Sequence, residues 1–347
     1  MIRIGIVGTN WITERLLEAA KGIENFKLAA VYSRTLERAE EFASQYGITK
    51  IFTDLEEMAV SDEIDAVYIA TPNSFHADQA VLFLKKSKHV LCEKPMAANA
   101  AEAAKMIQEA KDHNVLLMEA MKSTLLPNFK AIQNNLHKIG PIRRYFASYC
   151  QYSSRYDAYK KGTVLNAFNP NFANGSLMDL GTYCLYPLIL LFGEPKEIKA
   201  TGLILDSGID GEGSVLLKYD DKDAVIIYSK ITNSTLPSEI QGEKGIMVID
   251  KIHSAEKVDI HYNDGTVESV TVEQPQPAMY YEVKEFIDLI SQKKTESLVN
   301  SFENSYTTMC VMDKVRQESV CPIQVIPSKR SSIDQAVGSE SEFFSSI

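Results

Sequence analysis

Cysteine is scarce in this chain, and its spacing shows no pairing. The five cysteines (Cys92, Cys150, Cys184, Cys310 and Cys321) among 347 residues are odd in number, scattered, and never spaced Cys-x-x-Cys. This argues against a disulfide-stapled secreted scaffold and fits reduced thiols in a cytoplasm. Histidine is equally sparse and dispersed, so no metal site is expected. Positive charge is in deficit: 36 Lys and Arg face 46 Asp and Glu, a formal net charge of −10. A nucleic-acid surface needs a basic stripe that releases counterions, so no nucleic-acid partner is expected. The most apolar stretch, Cys184 to Phe192, is far short of the ~20 residues that cross a bilayer. No basic segment followed by an apolar run opens the chain, so neither a secretory leader nor a membrane partner is expected.

What is present is a repeating alternation. Short β-rich runs (Ile2–Val7, Lys27–Tyr32, Asp65–Ala70, His89–Glu93, Val115–Glu119, with a weaker one near Ile51) alternate with helical patterns such as Thr35–Tyr46 and Asn99–Asn114. The runs are apolar throughout, which predicts burial on both faces and a parallel sheet covered by helices. After about residue 123 the pattern changes. A helix starts near Pro127, and an apolar helix spans Asp179 to Phe192. Strand signals follow at Ser214–Tyr219, Ala224–Ile231 and Val258–Tyr262, with turn residues at Asp220-Asp221 and Asn263–Gly265. Helices near 280–292 and 302–317 are predicted to close this second unit. The expected architecture is an α/β Rossmann domain over residues 1–122, then an α+β domain with a large, open-faced, mostly antiparallel sheet over 123–327. Residues 328–347, with seven serines and no period, read as a flexible tail.

The stretch Gly8-Thr9-Asn10-Trp11-Ile12-Thr13 follows the first strand and opens a helix, the context of a dinucleotide loop. Gly8 can make the tight turn. Asn10 tolerates positive φ and is expected to replace the second glycine. Thr13, bulkier than Gly or Ala, is expected to push the helix slightly off the sheet. The other reading is a tight turn that binds nothing. The second strand ends in Tyr32-Ser33-Arg34-Thr35, with Arg38 beyond, and carries no carboxylate. An acidic residue there would hold the ribose hydroxyls of NAD. Ser33 and Arg34 instead suit a 2′-phosphate, which points to NADP rather than NAD. Both arginines also fit a solvated helix start.

Two further stretches, Thr71–Asp78 and Cys92–Pro95, follow strands at their carboxyl ends, where open α/β sheets bind ligands. Together with the opening loop, the run from Tyr32, and Gly175–Pro195, they resemble the Gfo/Idh/MocA oxidoreductase family in order and spacing over roughly residues 1–325. The resemblance implies NAD(P)-dependent oxidation or reduction of sugars, cyclic polyols and related compounds, in homo-oligomers paired through the open sheet. It places Lys94 in the family's Glu-Lys-Pro element, between substrate and nicotinamide. Asp179 and Tyr183 match its Asp-x-Gly-x-(His or Tyr) element. The tyrosine, within Met178–Cys184, is most similar to the dihydrodiol dehydrogenase branch, as is Met118–Met121. Tyr186 departs from the polar substrate ligand that many relatives carry.

Hydride transfer from a carbinol requires removal of the hydroxyl proton. A tyrosine, with pKa about 10, needs help to act as base, and a nearby Lys94 ammonium would lower it. Tyr183 is therefore expected to accept the proton, with Lys94 tuning it and Asp179 holding the lysine or a substrate hydroxyl. The reverse assignment, with Lys94 transferring the proton, stays open. Asp179 and Tyr183, four apart, would share a helix face. Thr71, Pro72, Asn73 and Glu93 join the expected cofactor wall. His76 either bonds at a helix start or lines the nicotinamide site. Tyr149, Tyr152 and Tyr156 are read as sheet and interface aromatics, and substrate specificity is expected around residues 152–174. A non-catalytic, NAD(P)-sensing regulator is the alternative on the same fold. A redox-assisted glycosidase would need a histidine-bearing substrate motif that this sequence lacks.

Overall fold

The computed structural model describes residues 1–319; the expected tail, 328–347, and Cys321 lie outside the described residues. The first unit alternates β1 (Ile2–Val7), α1 (Trp11–Ala19), β2 (Phe26–Tyr32), α2 (Leu36–Tyr46), β3 (Lys50–Phe52), α3 (Leu55–Val60), β4 (Ala66–Ile69), α4 (Asn73–Lys85), β5 (His89–Glu93), α5 (Ala100–Asp112) and β6 (Leu117–Ala120). Every adjacent pair is parallel, in the order β3-β2-β1-β4-β5-β6. This is the doubly wound order whose strand sequence reverses beside β1, opening a crevice at the carboxyl ends of β1 and β4. Strands β1, β4, β5 and β6 are buried almost throughout, as expected, whereas β2 buries only Ala30 and Val31 and β3 none of its residues. Thr35, Asp54 and Asn99 each cap the following helix by accepting from a backbone amide three residues on.

The second unit runs through α6 (Pro127–Asn135), β7 (Ile142–Cys150), α7 (Tyr156–Lys160), α8 (Thr182–Phe192), β8 (Glu197–Ile204), β9 (Asp210–Lys218), β10 (Asp223–Ser229), β11 (Ser238–Gly242), β12 (Gly245–Ile249), β13 (Val258–Tyr262) and β14 (Val267–Ser269), then α9 (Ala278–Ser291) and α10 (Phe302–Glu318). Its eight strands form one sheet, β14-β13-β12-β11-β7-β10-β9-β8, antiparallel except for the central β7–β10 pair. Inward-facing Tyr145, Ala147, Val215, Leu217, Ile226, Ile240 and Met247 pack with Cys184, Leu185 and Leu188 of α8 in one core. Leu203 and Leu216 stand exposed on the opposite face. Strands β8, β11, β12 and β14 carry no signal that stood out in the sequence.

Helix α9 departs from expectation. Its Met279, Val283, Phe286 and Ile287 pack with Ile4, Leu16 and Leu17 of the first unit, so the chain returns to cover the Rossmann core. Helix α10 ties the units together, since Asp313 accepts from the Ala100 amide (2.9 Å) and Arg316 donates to Ala98 O (2.8 Å). The 23-residue stretch Pro170–Phe192 is long and apolar enough to cross a membrane, but 78% of its most apolar window is buried inside the protein, as a core helix would be.

Candidate active site

The loop after β1 bends at Gly8, with φ 110°, where an added Cβ would lie 2.7 Å from Ala70 O. Asn10 does not take the positive φ expected of it. Its φ of −107° and ψ of 176° are extended, because it caps α1 and accepts from the amides of Ile12 (3.0 Å) and Thr13 (3.3 Å). Its Nδ2 donates to Ala70 O at 2.6 Å, clamping the loop to β4. Thr13 is wholly buried, and its hydroxyl donates to Gly8 O at 2.6 Å. Its bulk is absorbed at the turn. The Asn10 and Trp11 amides have no acceptor among the described residues, so they stay open at the positive end of α1. Trp11 is 49% exposed, with Arg15 packed 4.9 Å from its ring centroid.

At the end of β2, Ser33 is half-buried and Arg34 exposed, and among the described residues Arg34 makes no hydrogen bond or ion pair. Arg38 is committed elsewhere. Its guanidinium donates to Thr9 O (2.8 Å) and Thr9 Oγ1 (3.3 Å) and pairs with Glu41, so it braces the glycine loop.

The β4 and β5 ends are bound to each other. His76 is fully buried, with its ring nitrogens 3.0 Å from Pro95 O and 2.8 Å from Thr71 O. It is a strut between two strand-end loops, and burial lowers its pKa. Thr71 donates to Gln79 (2.7 Å), and Pro72 occupies the α4 N-cap position. Asn73 reaches the other unit, donating to Ala173 O (3.0 Å) and Asn174 Oδ1 (3.2 Å). Glu93 is buried under the cleft, its Oε1 accepting from Tyr68 at 2.5 Å.

Three of the expected residues converge across the cleft between the two units. Lys94 Nζ, just beyond β5, donates to Asp179 O at 3.0 Å and lies 3.2 Å from Asp179 Oδ1. The same ammonium sits 4.9 Å from the centroid of the Tyr183 ring, a cation–π contact. The segment presenting Asp179 is a π-helical turn, Leu177–Gly181, continuous with α8. Its wider winding changes the phase expected of an i,i+4 pair, yet both side chains reach Lys94. The turn is anchored by Asp210, which accepts from the Leu177 amide at 2.7 Å and whose pKa burial raises to about 6. Gly175 (φ 145°) makes room, since a Cβ there would come within 2.0 Å of the Asp210 carboxylate.

A second ammonium also reaches Asp179. Lys230, directly after β10 and 2% exposed, lies 3.4 Å from Asp179 Oδ2 and donates to Ala167 O at 2.9 Å. Asp179 is deep among protein atoms, although 46% of its side chain opens to the cleft. Its burial would raise its pKa, but Lys230 and then Lys94 hold it well below the carboxylate range. Tyr183 contradicts the expected tuning. Its pKa is raised well above that of a free tyrosine, first by burial, then by Glu93, Tyr149, Glu282 and Asp179. Lys94 meets the π face while its charge is shared with Asp179, so phenolate is not favoured and Tyr183 stays a phenol.

Sequence reasoning missed Lys230, whose signal was a lone lysine within the strand-like run Ala224–Ile231. Tyr149 lies in β7, as a sheet aromatic would, and its ring packs edge-on against Tyr183 (centroids 5.7 Å) and stacks on His253 (4.3 Å). Tyr186 is fully buried and bonds Ser305 (3.0 Å), away from any ligand surface. Lys122, 6.0 Å from the Tyr183 ring, has its pKa lowered by burial although Glu282 and Glu93 face it.

Replacing Lys230 by Met is expected to lower kcat/KM ~10-fold, within the range for loss of a positioning charge. Without Lys230, the pKa of Asp179 must rise, so the acid limb of the pH–rate profile should move toward neutrality. An unshifted limb would remove Lys230 from this role.

Residues 2–121 match the oxidoreductase family with an NAD-binding Rossmann fold, and 135–248 match the GFO/IDH/MocA C-terminal domain. The chain belongs to the GFO/IDH/MocA oxidoreductase family. It is 57% identical over 318 residues to the scyllo-inositol 2-dehydrogenase (NADP(+)) IolU of Bacillus subtilis, covering 92% of this chain and 97% of that protein. Similarity to the trans-1,2-dihydrobenzene-1,2-diol dehydrogenase of Mus musculus is 34% over 262 residues, 72% of this chain and 75% of that protein. Among solved structures, the 3-ketoreductase KijD10 of Actinomadura kijaniata with NADP and TDP-benzene shares the fold, with TM-score 0.81 and 23% identity, over 91% of this chain and 97% of that one. GFO/IDH/MocA membership accounts for the two-unit architecture.

Proposed function

We propose that this protein is an NADP-dependent dehydrogenase of cyclic polyols that interconverts a ring carbinol and its ketone, with scyllo-inositol as the first substrate to test. The observation that carries this reading is the Lys94 ammonium, held at the end of β5 by Asp179 and the Tyr183 ring from the facing unit. The 57% identical relative named for scyllo-inositol supports the substrate.

The chain's own residues fit the cofactor. Gly8 is a bend that no larger residue fits, and the amides of Asn10 and Trp11 are open. Thr9 and Ile12 complete the loop, Ser33 and Arg34 would take the 2′-phosphate, and Arg38 would brace Thr9. Thr71, Pro72, Asn73 and Glu93 would form the wall that His76 stiffens. NADP, when bound, supplies the acceptor for the hydride. On oxidation Lys94 first gives up a proton to solvent in the cleft; the free amine then takes the O–H proton as the carbinol C–H leaves as hydride and the C=O bond forms. On reduction the Lys94 ammonium returns the proton to the oxygen. Asp179 holds that ammonium in place, and Tyr183, as a phenol, donates a hydrogen bond to the same oxygen.

A cytoplasmic location goes with this reading, and the unpaired thiols of the four described cysteines support it. A second copy would cover the outer sheet face, where Leu203 and Leu216 stand exposed beside the half-buried Val225 and Phe146.

The test uses Trp11, the single tryptophan, in the proposed pyrophosphate loop. Titration with NADPH is expected to quench its emission at ~10-fold lower concentration than NADH, the scale of one charge-assisted phosphate contact. Arg34→Asp should reverse that preference, and purified protein with NADP should oxidise scyllo-inositol. Binding of neither nucleotide would overturn the reading.

A further inference from the structure

The cleft holds one histidine that the chemistry above does not use. His253 lies in the loop between β12 and β13, is half-buried, and stacks on Tyr149 with centroids 4.3 Å apart and planes 8° from parallel. Both rings stand edge-on to Tyr183, at 5.7 Å and 69° for Tyr149 and at 6.3 Å and 71° for His253. Tyr183 is thus shared between Lys94 and the Tyr149–His253 pair.

The polar edge of this ring sets it apart from the other enclosed histidines. His76 meets two carbonyls, His89 accepts from the Leu116 amide at 2.8 Å, and His113 lies 3.0 Å from Glu109 O. His137 and His261 are exposed. Among the described residues His253 makes no hydrogen bond, although its ring is fixed by stacking. A ring held rigidly with both nitrogens uncommitted, beside the tyrosine that touches the reacting lysine, is pre-organised for a ligand.

Burial, then Lys122 and Lys251, lower the His253 pKa to about 4 against Glu256 and Asp250. The imidazole therefore offers one donor and one acceptor at neutral pH. A hydroxyl, itself both donor and acceptor, can bond either nitrogen.

We infer that His253 is a substrate-orienting residue that hydrogen-bonds a second hydroxyl of the same polyol ring whose reacting hydroxyl lies on Lys94. The inference rests on the polyol reading above and adds the basis of its selectivity. Two fixed polar points, Lys94 and His253, both against the Tyr183 ring, select rings bearing at least two correctly disposed hydroxyls. An isolated alcohol would meet only one of them.

The test compares wild type with His253→Phe, which keeps the stacking ring and removes both nitrogens, and with Tyr149→Leu, which removes the stack. Polyol binding to NADP-loaded protein is measured by calorimetry with scyllo-inositol and a mono-deoxy inositol, alongside steady-state kinetics and NADPH binding by Trp11 emission. His253→Phe is expected to weaken scyllo-inositol binding and raise KM ~10-fold, the scale of one hydrogen bond, with kcat changed less than ~2-fold. NADPH binding should stay the same. For the deoxy ring that lacks the contacted hydroxyl, wild type and variant should bind alike. Equal scyllo-inositol affinity in wild type and His253→Phe would overturn the inference and leave the polyol reading standing. Binding without turnover would end the dehydrogenase reading, while the variant comparison would still decide His253. No binding of either polyol to wild type would overturn both.

Discussion

Replacing Lys94 by Met is expected to slow hydride transfer at least ~100-fold while leaving NADPH binding within ~2-fold, as measured by single-turnover kinetics and Trp11 quenching. Methionine keeps the length of the side chain and removes the ammonium that Asp179 and the Tyr183 ring hold in place. Tyr183→Phe should be milder, ~10-fold, because the ring that packs against Lys94 remains and only a hydrogen-bond donor is lost. The order of the two effects is the informative result. Tyr183 is pushed toward the phenol form by burial and by the carboxylates of Glu93, Glu282 and Asp179, which makes it a poor base. If Tyr183→Phe proved as damaging as Lys94→Met, the proton would be moving through the phenol and the assignment would reverse.

The second large effect concerns stability. Glu119, in β6 and 2% exposed, accepts from the Met96 amide at 3.0 Å and so fixes the segment just beyond Lys94. Burial raises its pKa to about 7, against an unfolded value of 4.5. The folded state therefore binds this proton more tightly than the unfolded chain. That contribution is complete below pH 4.5 and is lost as pH rises to about 7, amounting to about 3 kcal/mol. Asp210, raised to about 6, acts in the same direction. Glu119→Gln keeps an acceptor for Met96 without the charge, so its stability should diverge from wild type as pH rises. Denaturant melts at pH 4.5 and pH 8 should show a gap growing by about 3 kcal/mol in favour of the variant. Parallel pH dependences would mean that Glu119 ionises freely in the folded protein.

Both predictions depend on groups that the sequence displays unequally. Lys94, Asp179 and Tyr183 were legible because each sits in a short element whose neighbours also match the family: Pro95 after the lysine, Gly181 between the other two. Lys230 and His253 were not. The first follows a strand and the second lies in a loop between strands, and nothing local distinguishes them from solvated residues. Their meaning comes from what is packed against them. Glu119 at the end of β6 looks equally ordinary until its burial is known.

The sequence by itself determined that the first unit is a parallel sheet between helix layers, because strands apolar on both faces must be buried on both. It also singled out Lys94, Asp179 and Tyr183 as candidates through their family elements, and the absence of a carboxylate after β2. Only the tertiary structure decided which groups share charge. It put Lys230 as well as Lys94 on Asp179, tied Arg38 to the glycine loop, kept Asn10 extended as a helix cap, and brought α9 back onto the first core. The physical reason is range. Strand and helix patterns arise from neighbours a few residues apart, whereas burial and ion pairing depend on residues far apart in sequence, such as Lys94 and Asp179 or Asp179 and Lys230, that meet only when the two units close on one another.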